Sequence, residues 1–130
     1  MTNSTDYKSK PLVYSCSGCS NVAQLANDLA VVLDREGMAQ MSCIAGVGGN
    51  VKPLVKIATS GRPILAVDGC PLSCVKHTLA QHNVVPTWHL ELTSLGYKKQ
   101  EHDSCELSEA YRLLQTVQQD ILPQIAGIRH

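Results

Sequence analysis

The stretch PILAVDGCPLSC, residues 63–74, decides how this chain folds. Its first five residues form an apolar run without polar alternation, which predicts a strand that is covered on both faces. Such a strand belongs in the middle of a parallel sheet. Two cysteines follow, Cys70 and Cys74, at the point where the strand passes into a helical pattern. Because proline is favoured in the first turn of a helix, we expect this helix to cover about residues 71–82.

Three other segments have the character of strands. They are residues 10–15 (KPLVYS), residues 39–47 (AQMSCIAGV) and residues 87–96 (TWHLELTSLG). Helical periodicity predicts helices at residues 21–36 and 51–60 and, after the last strand, from Leu107 onward. Ser20 is a suitable N-cap for the first of them and Gly37 a suitable stop.

This fourfold alternation of strand and helix predicts a single-domain α/β fold. We expect three layers, with an about four-stranded, mostly parallel sheet and helices on both of its faces, as in Rossmann-like and flavodoxin-like proteins. Residues 1–10 (MTNSTDYKSK) are polar, and we interpret them as a flexible tail. Residues 11–130 then form one α/β domain.

Composition narrows the range of functions. The chain has 130 residues, of which 44% are hydrophobic, so it can bury a core without disulfide or metal staples. Eleven basic residues balance eleven acidic ones, a composition that predicts no nucleic-acid partner and no attraction to an acidic membrane surface. Neither a secretion signal nor a membrane-spanning run is recognisable, so we expect a cytoplasmic protein.

Five of the six cysteines lie close to predicted strand ends: Cys16, Cys19, Cys43, Cys70 and Cys74. The carboxyl ends of parallel strands share one edge of the sheet, where ligands bind in this class of fold. If the first three strands are neighbours, these thiols meet at that edge. In a reducing compartment, clustered thiols are better suited to metal or thiol chemistry than to structural disulfides.

The spacing of these cysteines favours a metal site. Cys16 and Cys19 form a C-x-x-C pair, and Cys70 and Cys74 lie one helical turn apart. Four thiolates around one ion are a common arrangement for structural zinc, although iron or an iron–sulfur cluster uses similar ligands. Five candidates exceed the usual four positions, and the spacing does not identify the additional thiol.

Three stretches together are similar to those of a known family: SCSGCSNVAQLANDLA (15–30), MSCIAGVGG (41–49) and ILAVDGCPLSC (64–74). They resemble the DGC-domain family of small proteins, named for an Asp-Gly-Cys motif, over roughly residues 12–80. The resemblance implies four metal-chelating cysteines and no established biochemical activity. It points first to Cys70 and Cys74, then to Cys16, with either Cys19 or Cys43 completing the set.

Other candidate residues have simpler interpretations. Asp68 is expected to accept hydrogen bonds from free amides in the turn, with a second-shell or general-base role as the alternative. His77 could share a helix face with Cys74 and replace a cysteine as metal ligand, but it fits a surface histidine better. The GVGG stretch, residues 46–49, predicts a turn, with anion binding as a minor option. Cys105 is interpreted as a helix-start residue without chemistry.

Two other functions compete with a structural zinc site. A thiol-based redox or sulfur-transfer enzyme would use one low-pKa cysteine of the cluster, such as Cys19 or Cys74, near a helix N-terminus. A catalytic zinc would need three protein ligands and a water, with Asp68 or His77 as base. The excess of cysteines argues against the catalytic ion, because four thiolates leave no open position. A protein partner or a small-molecule substrate is not specified by the sequence.

Overall fold

The computed structural model describes residues 9–121, which form alternating strands and helices. The strands are β1 (Leu12–Ser15), β2 (Gln40–Met41), β3 (Ile64–Asp68) and β4 (Trp88–Glu91). The α-helices are α1 (Asn21–Arg35), α2 (Ile44–Gly48), α3 (Lys52–Ala58), α4 (Cys74–Ala80) and α5 (Leu107–Asp120), and a 3-10 turn (Leu92–Leu95) follows β4. The predicted tail, residues 1–10, lies outside the described residues except for its last two positions.

The four strands form one sheet in the order β2-β1-β3-β4, and every neighbouring pair is parallel. This is the flavodoxin-like order, in which the direction of winding reverses between β1 and β3. The register pairs Ser15 with Val67, so β1 and β3 end at the same level. The segments that follow these two strands therefore leave the sheet side by side.

Both faces of the sheet are covered by helices, as the unbroken apolar run of β3 predicts. Leu65 and Val67 of β3 contribute to a core with α1 and α5, whereas Ile64 and Ala66 contribute to a second core with α2, α3 and α4. All five residues of β3 are buried. The predicted three-layer α/β fold is thus confirmed, with an all-parallel sheet.

The first helix begins and ends where the sequence predicts. The Ser20 hydroxyl accepts a hydrogen bond from the Ala23 amide at 3.1 Å and so caps α1. Gly37 follows the helix with a φ of 73°, the left-handed conformation in which helices commonly stop. This helix packs its apolar stripe on the sheet, which places its N-terminus beside the ends of β1 and β3.

The predicted second strand, residues 39–47, is largely wrong. Only Gln40–Met41 pair with β1, and Ile44–Gly48 form the short helix α2. The Cys43 sulfur accepts a hydrogen bond from the Gly46 amide at 3.4 Å, so Cys43 caps this helix instead of ending a strand. The GVGG stretch is consequently helical over Gly46–Gly48 and is not a turn there.

The third predicted helix begins later than expected. Cys74 is the first residue of α4, and Pro71 belongs to the turn that precedes it. Ser73 has left-handed backbone angles, with φ and ψ both 51°, so the chain changes direction there before the helix starts. Among residues 9–121, no helix is both long and apolar enough to cross a membrane.

Candidate thiol site

Four cysteines line a single cavity of about 220 Å³ at the carboxyl edge of the sheet: Cys16, Cys19, Cys70 and Cys74. The first pair follows β1 and the second pair follows β3, so the cavity lies at the point where the strand order reverses. That is the position at which open α/β sheets bind ligands. All six cysteines lie within the described residues, and each is a free thiol.

Cys16 follows β1 and is held by the backbone of β3 and of the residue after it. Its amide donates to the Val67 carbonyl at 3.1 Å, which extends the β1–β3 ladder by one residue, and its sulfur accepts from the Gly69 amide at 3.1 Å. Burial raises the pKa of the Cys16 thiol to about 11, and the nearby acidic groups of Asp68, Cys74 and Cys70 act in the same direction. Cys16 is therefore a neutral thiol near pH 7 in the absence of a cation.

Asp68 places Cys74 in the site. The Asp68 carboxylate is 1% exposed and accepts hydrogen bonds from the Val75 amide at 2.8 Å and the Lys76 amide at 3.3 Å. These amides lie in the first turn of α4, whose own N-cap residue makes no side-chain cap bond. The carboxylate thus caps α4 from the end of β3 and anchors the helix that begins with Cys74, as expected of a turn-stabilising aspartate.

The third partner of this carboxylate is not predictable from the sequence. His89, on β4, lies with its Nε2 atom 2.8 Å from Oδ2 of Asp68. Since the carboxylate is an acceptor, the hydrogen bond requires the proton on that nitrogen. β4 pairs with β3 so that Glu91 is level with Asp68, and the spacing of residues along the chain does not reveal this contact.

Three other candidate residues lie elsewhere. Cys43 is exposed at the start of α2 and does not line the cavity. His77 is exposed on α4 and is also absent from the cavity wall. Cys105 precedes α5 and packs against the core. Burial raises the pKa of its thiol, and nearby acidic side chains raise it further. Of the five predicted thiols, the structure brings four together.

A segment from the far end of the domain covers one side of the cavity. We call residues 98–103 the strap. Asn21 holds it with three hydrogen bonds: its side chain donates to Lys98 and accepts from Gln100, and its amide donates to the Gln100 carbonyl. The His102 amide donates to the Cys19 carbonyl at 3.0 Å. The strap is thereby fastened to the segment that carries the C-x-x-C pair.

The fit of this cavity to a metal ion depends on donor chemistry. Within residues 9–121, no three Cys, His, Asp or Glu side chains are already arranged as a metal-binding group. Four sulfur atoms around one cavity nevertheless form a donor set that suits a soft cation such as zinc. Ligation would therefore require the thiol side chains to turn towards a common point.

Comparisons with known proteins agree on one family. The model of the DGC domain matches residues 12–117 of the chain. The anaerobic and virulence modulator AnvM of Pseudomonas aeruginosa is 62% identical over 113 residues, which cover 87% of this chain and 86% of that protein. No solved structure matches the chain.

Proposed function

This chain belongs to the DGC-domain family, and from that premise we propose that it binds one thiophilic metal ion, zinc, through Cys16, Cys19, Cys70 and Cys74. One observation carries the proposal: two distant segments of the chain each bring a pair of thiols to the same cavity. Cys43 is the additional thiol, because its sulfur caps α2 outside the cavity. Zinc suits four thiolates in a reducing compartment.

A zinc ion with four thiolate ligands has no open coordination position. Such an ion would stabilise the site or act as a regulatory switch, and it would not catalyse a reaction. Three features of the chain bear on the binding of this ion: Cys16, Asp68 and the strap. Cys16 must lose the proton that its buried position retains, which makes binding dependent on pH. Asp68 caps α4, the helix that begins with Cys74, and Lys99 and Glu101 of the strap line the cavity.

The name of the similar protein supports a regulatory role. AnvM is called an anaerobic and virulence modulator, and its identity to this chain extends over most of both proteins. We extend a modulating role to this chain, with occupancy of the thiol site as the signal. Such a role is consistent with a site of four thiols, because thiolate ligands respond to both metal supply and oxidation.

Elemental analysis of protein purified without metal-affinity resin tests the metal proposal. We expect close to one zinc per chain, and iron in its place would identify the alternative ion. Single Cys→Ser changes at the four cavity positions should abolish or strongly reduce the metal content. Cys43→Ser and Cys105→Ser are matched controls and should retain it. Folded protein that takes up no zinc on addition, with stability unchanged by a chelator, would contradict the proposal.

The second candidate is a thiol-based redox or sulfur-transfer enzyme. It is favoured by the exposure of Cys19 and Cys74, which makes both thiols accessible from the cavity. Cys16 is a poor nucleophile by comparison, since burial keeps it protonated. This function predicts that one thiol of the metal-free protein is alkylated much faster than the others near pH 7. Equal, slow alkylation of all six thiols would exclude it.

A further inference from the structure

The strap brings a cation to the thiol site from a part of the sequence that carries no recognisable motif. The Lys99 ammonium lies 3.6 Å from the Cys70 sulfur, and both residues line the cavity. The side chain of Lys99 is 32% exposed, so it is partly withdrawn from water. It also contacts the Glu101 carboxylate at 4.0 Å, and the Glu101 side chain is 67% exposed.

We propose that Lys99 is a positioning residue of the thiol site that acts as its counter-ion, an inference that rests on the proposed binding of zinc. Four thiolates and one divalent cation leave two negative charges at the site. An ammonium beside one sulfur offsets part of this charge and donates a hydrogen bond that strengthens when the sulfur is ionised. Partners of this kind tune metal affinity without touching the metal.

The way in which the strap is fastened supports this role. Asn21 follows the C-x-x-C pair by two residues, and its side chain bonds the backbone on both sides of Lys99, at Lys98 and Gln100. Because these bonds fix the backbone of the strap, they also fix the position from which the Lys99 side chain reaches Cys70. The segment that carries Cys16 and Cys19 therefore also anchors the strap from which Lys99 reaches Cys70.

The charged groups around the cavity distinguish Lys99 from its neighbour Lys98. Asp68 is buried at the end of β3, and its carboxylate is occupied by the α4 amides and His89. Glu101 lines the cavity and competes only from a largely exposed position. Lys98 is one residue away and exposed, and it does not line the cavity. Lys98 is thus a matched control that carries the same charge on the same segment.

The test is a competition between the protein and a chromogenic chelator for zinc, at low and at moderate salt. Lys99→Met should retain one zinc per chain but weaken zinc affinity by about three- to tenfold, a modest effect because the ammonium is partly screened. Lys99→Arg should restore affinity to within about twofold, since it keeps the charge. Lys98→Met should match the wild type. Added salt should narrow the gap between Lys99→Met and the wild type.

The outcomes separate this inference from the proposed function. Zinc binding by the wild type with equal affinity in Lys99→Met would overturn the role of Lys99 and leave the metal site standing. Equal weakening in Lys98→Met and Lys99→Met would also overturn it, because net charge alone would then explain the effect. A wild-type protein that binds no zinc would overturn both.

Discussion

Gly69 and Val22 approach so closely that no side chain fits between them. A β-carbon at Gly69 would lie 2.7 Å from the carbonyl carbon and 2.8 Å from the carbonyl oxygen of Val22, in the first turn of α1. Backbone atoms cannot move aside as a flexible side chain can. The glycine of the DGC motif therefore allows the segment after β3 to pack against the helix that follows the C-x-x-C pair.

Gly69→Ala should force these two segments apart. We expect the free energy of unfolding to fall by about 1–3 kcal/mol, as for other overpacked positions, and zinc affinity to fall because the two cysteine pairs separate. Gly48→Ala is the control, since a β-carbon there would meet only Thr78 at an ordinary 3.4 Å. Urea unfolding measures both variants. Stability of Gly69→Ala equal to that of Gly48→Ala would refute this reading of the contact.

Asp68→Ala removes the cap of α4 and leaves the buried Val75 amide and the part-buried Lys76 amide without their acceptor. We expect a loss of about 2–4 kcal/mol in the free energy of unfolding, because capping and buried hydrogen bonds are lost together. His89→Ala is the matched comparison, since it removes one partner of the carboxylate but leaves the helix capped, and should cost about 1 kcal/mol. A larger loss in His89→Ala than in Asp68→Ala would show that the histidine contact dominates.

The buried thiol of Cys16 makes stability depend on pH. Its pKa is raised from about 9 to about 11, so the folded protein holds this proton more tightly than the unfolded chain does. The corresponding stability is fully present below about pH 9 and is lost as the pH rises towards 11.

Urea unfolding of metal-free protein between pH 8 and pH 10.5 checks this dependence. We expect the free energy of unfolding to fall more steeply with pH in the wild type than in Cys16→Ala. Tyr14, Tyr97 and Cys105 also have raised pKa values, but they are present in both proteins and cancel in the comparison. Parallel curves for the two proteins would mean that Cys16 is not the group responsible.

Asn21→Ala should loosen the strap. It removes two side-chain hydrogen bonds, of 2.9 Å to the Lys98 carbonyl and 2.6 Å from the Gln100 amide, while the backbone bond to Gln100 remains. We expect faster hydrogen exchange at the Gln100 and His102 amides and a loss of about 1–2 kcal/mol in stability. Gln24→Ala breaks a single exposed bond to Asp103 and should change little. Unaltered exchange at Gln100 in Asn21→Ala would contradict this anchoring.

Local sequence patterns were sufficient to predict those helices and strands whose apolar residues follow one strong pattern. The apolar run of β3, the amphipathic stripe of α1 and the Ser20 cap are all where the sequence predicts them. The segment after β2 misled the prediction because IAGVG is short, apolar and rich in glycine, which suits either a strand or a helical turn. In the structure this segment is helical, and the Cys43 sulfur caps it by accepting from the Gly46 amide.

The sequence alone was enough to predict that a buried parallel strand ends beside cysteines, because burial on both faces leaves an unbroken apolar run. Tertiary structure decided which cysteines meet. The placement of β1 beside β3 brings Cys16 and Cys19 to Cys70 and Cys74, and the strap adds Lys99. Strand order and the path of a connecting segment depend on packing between residues far apart in the chain, and no local spacing records them.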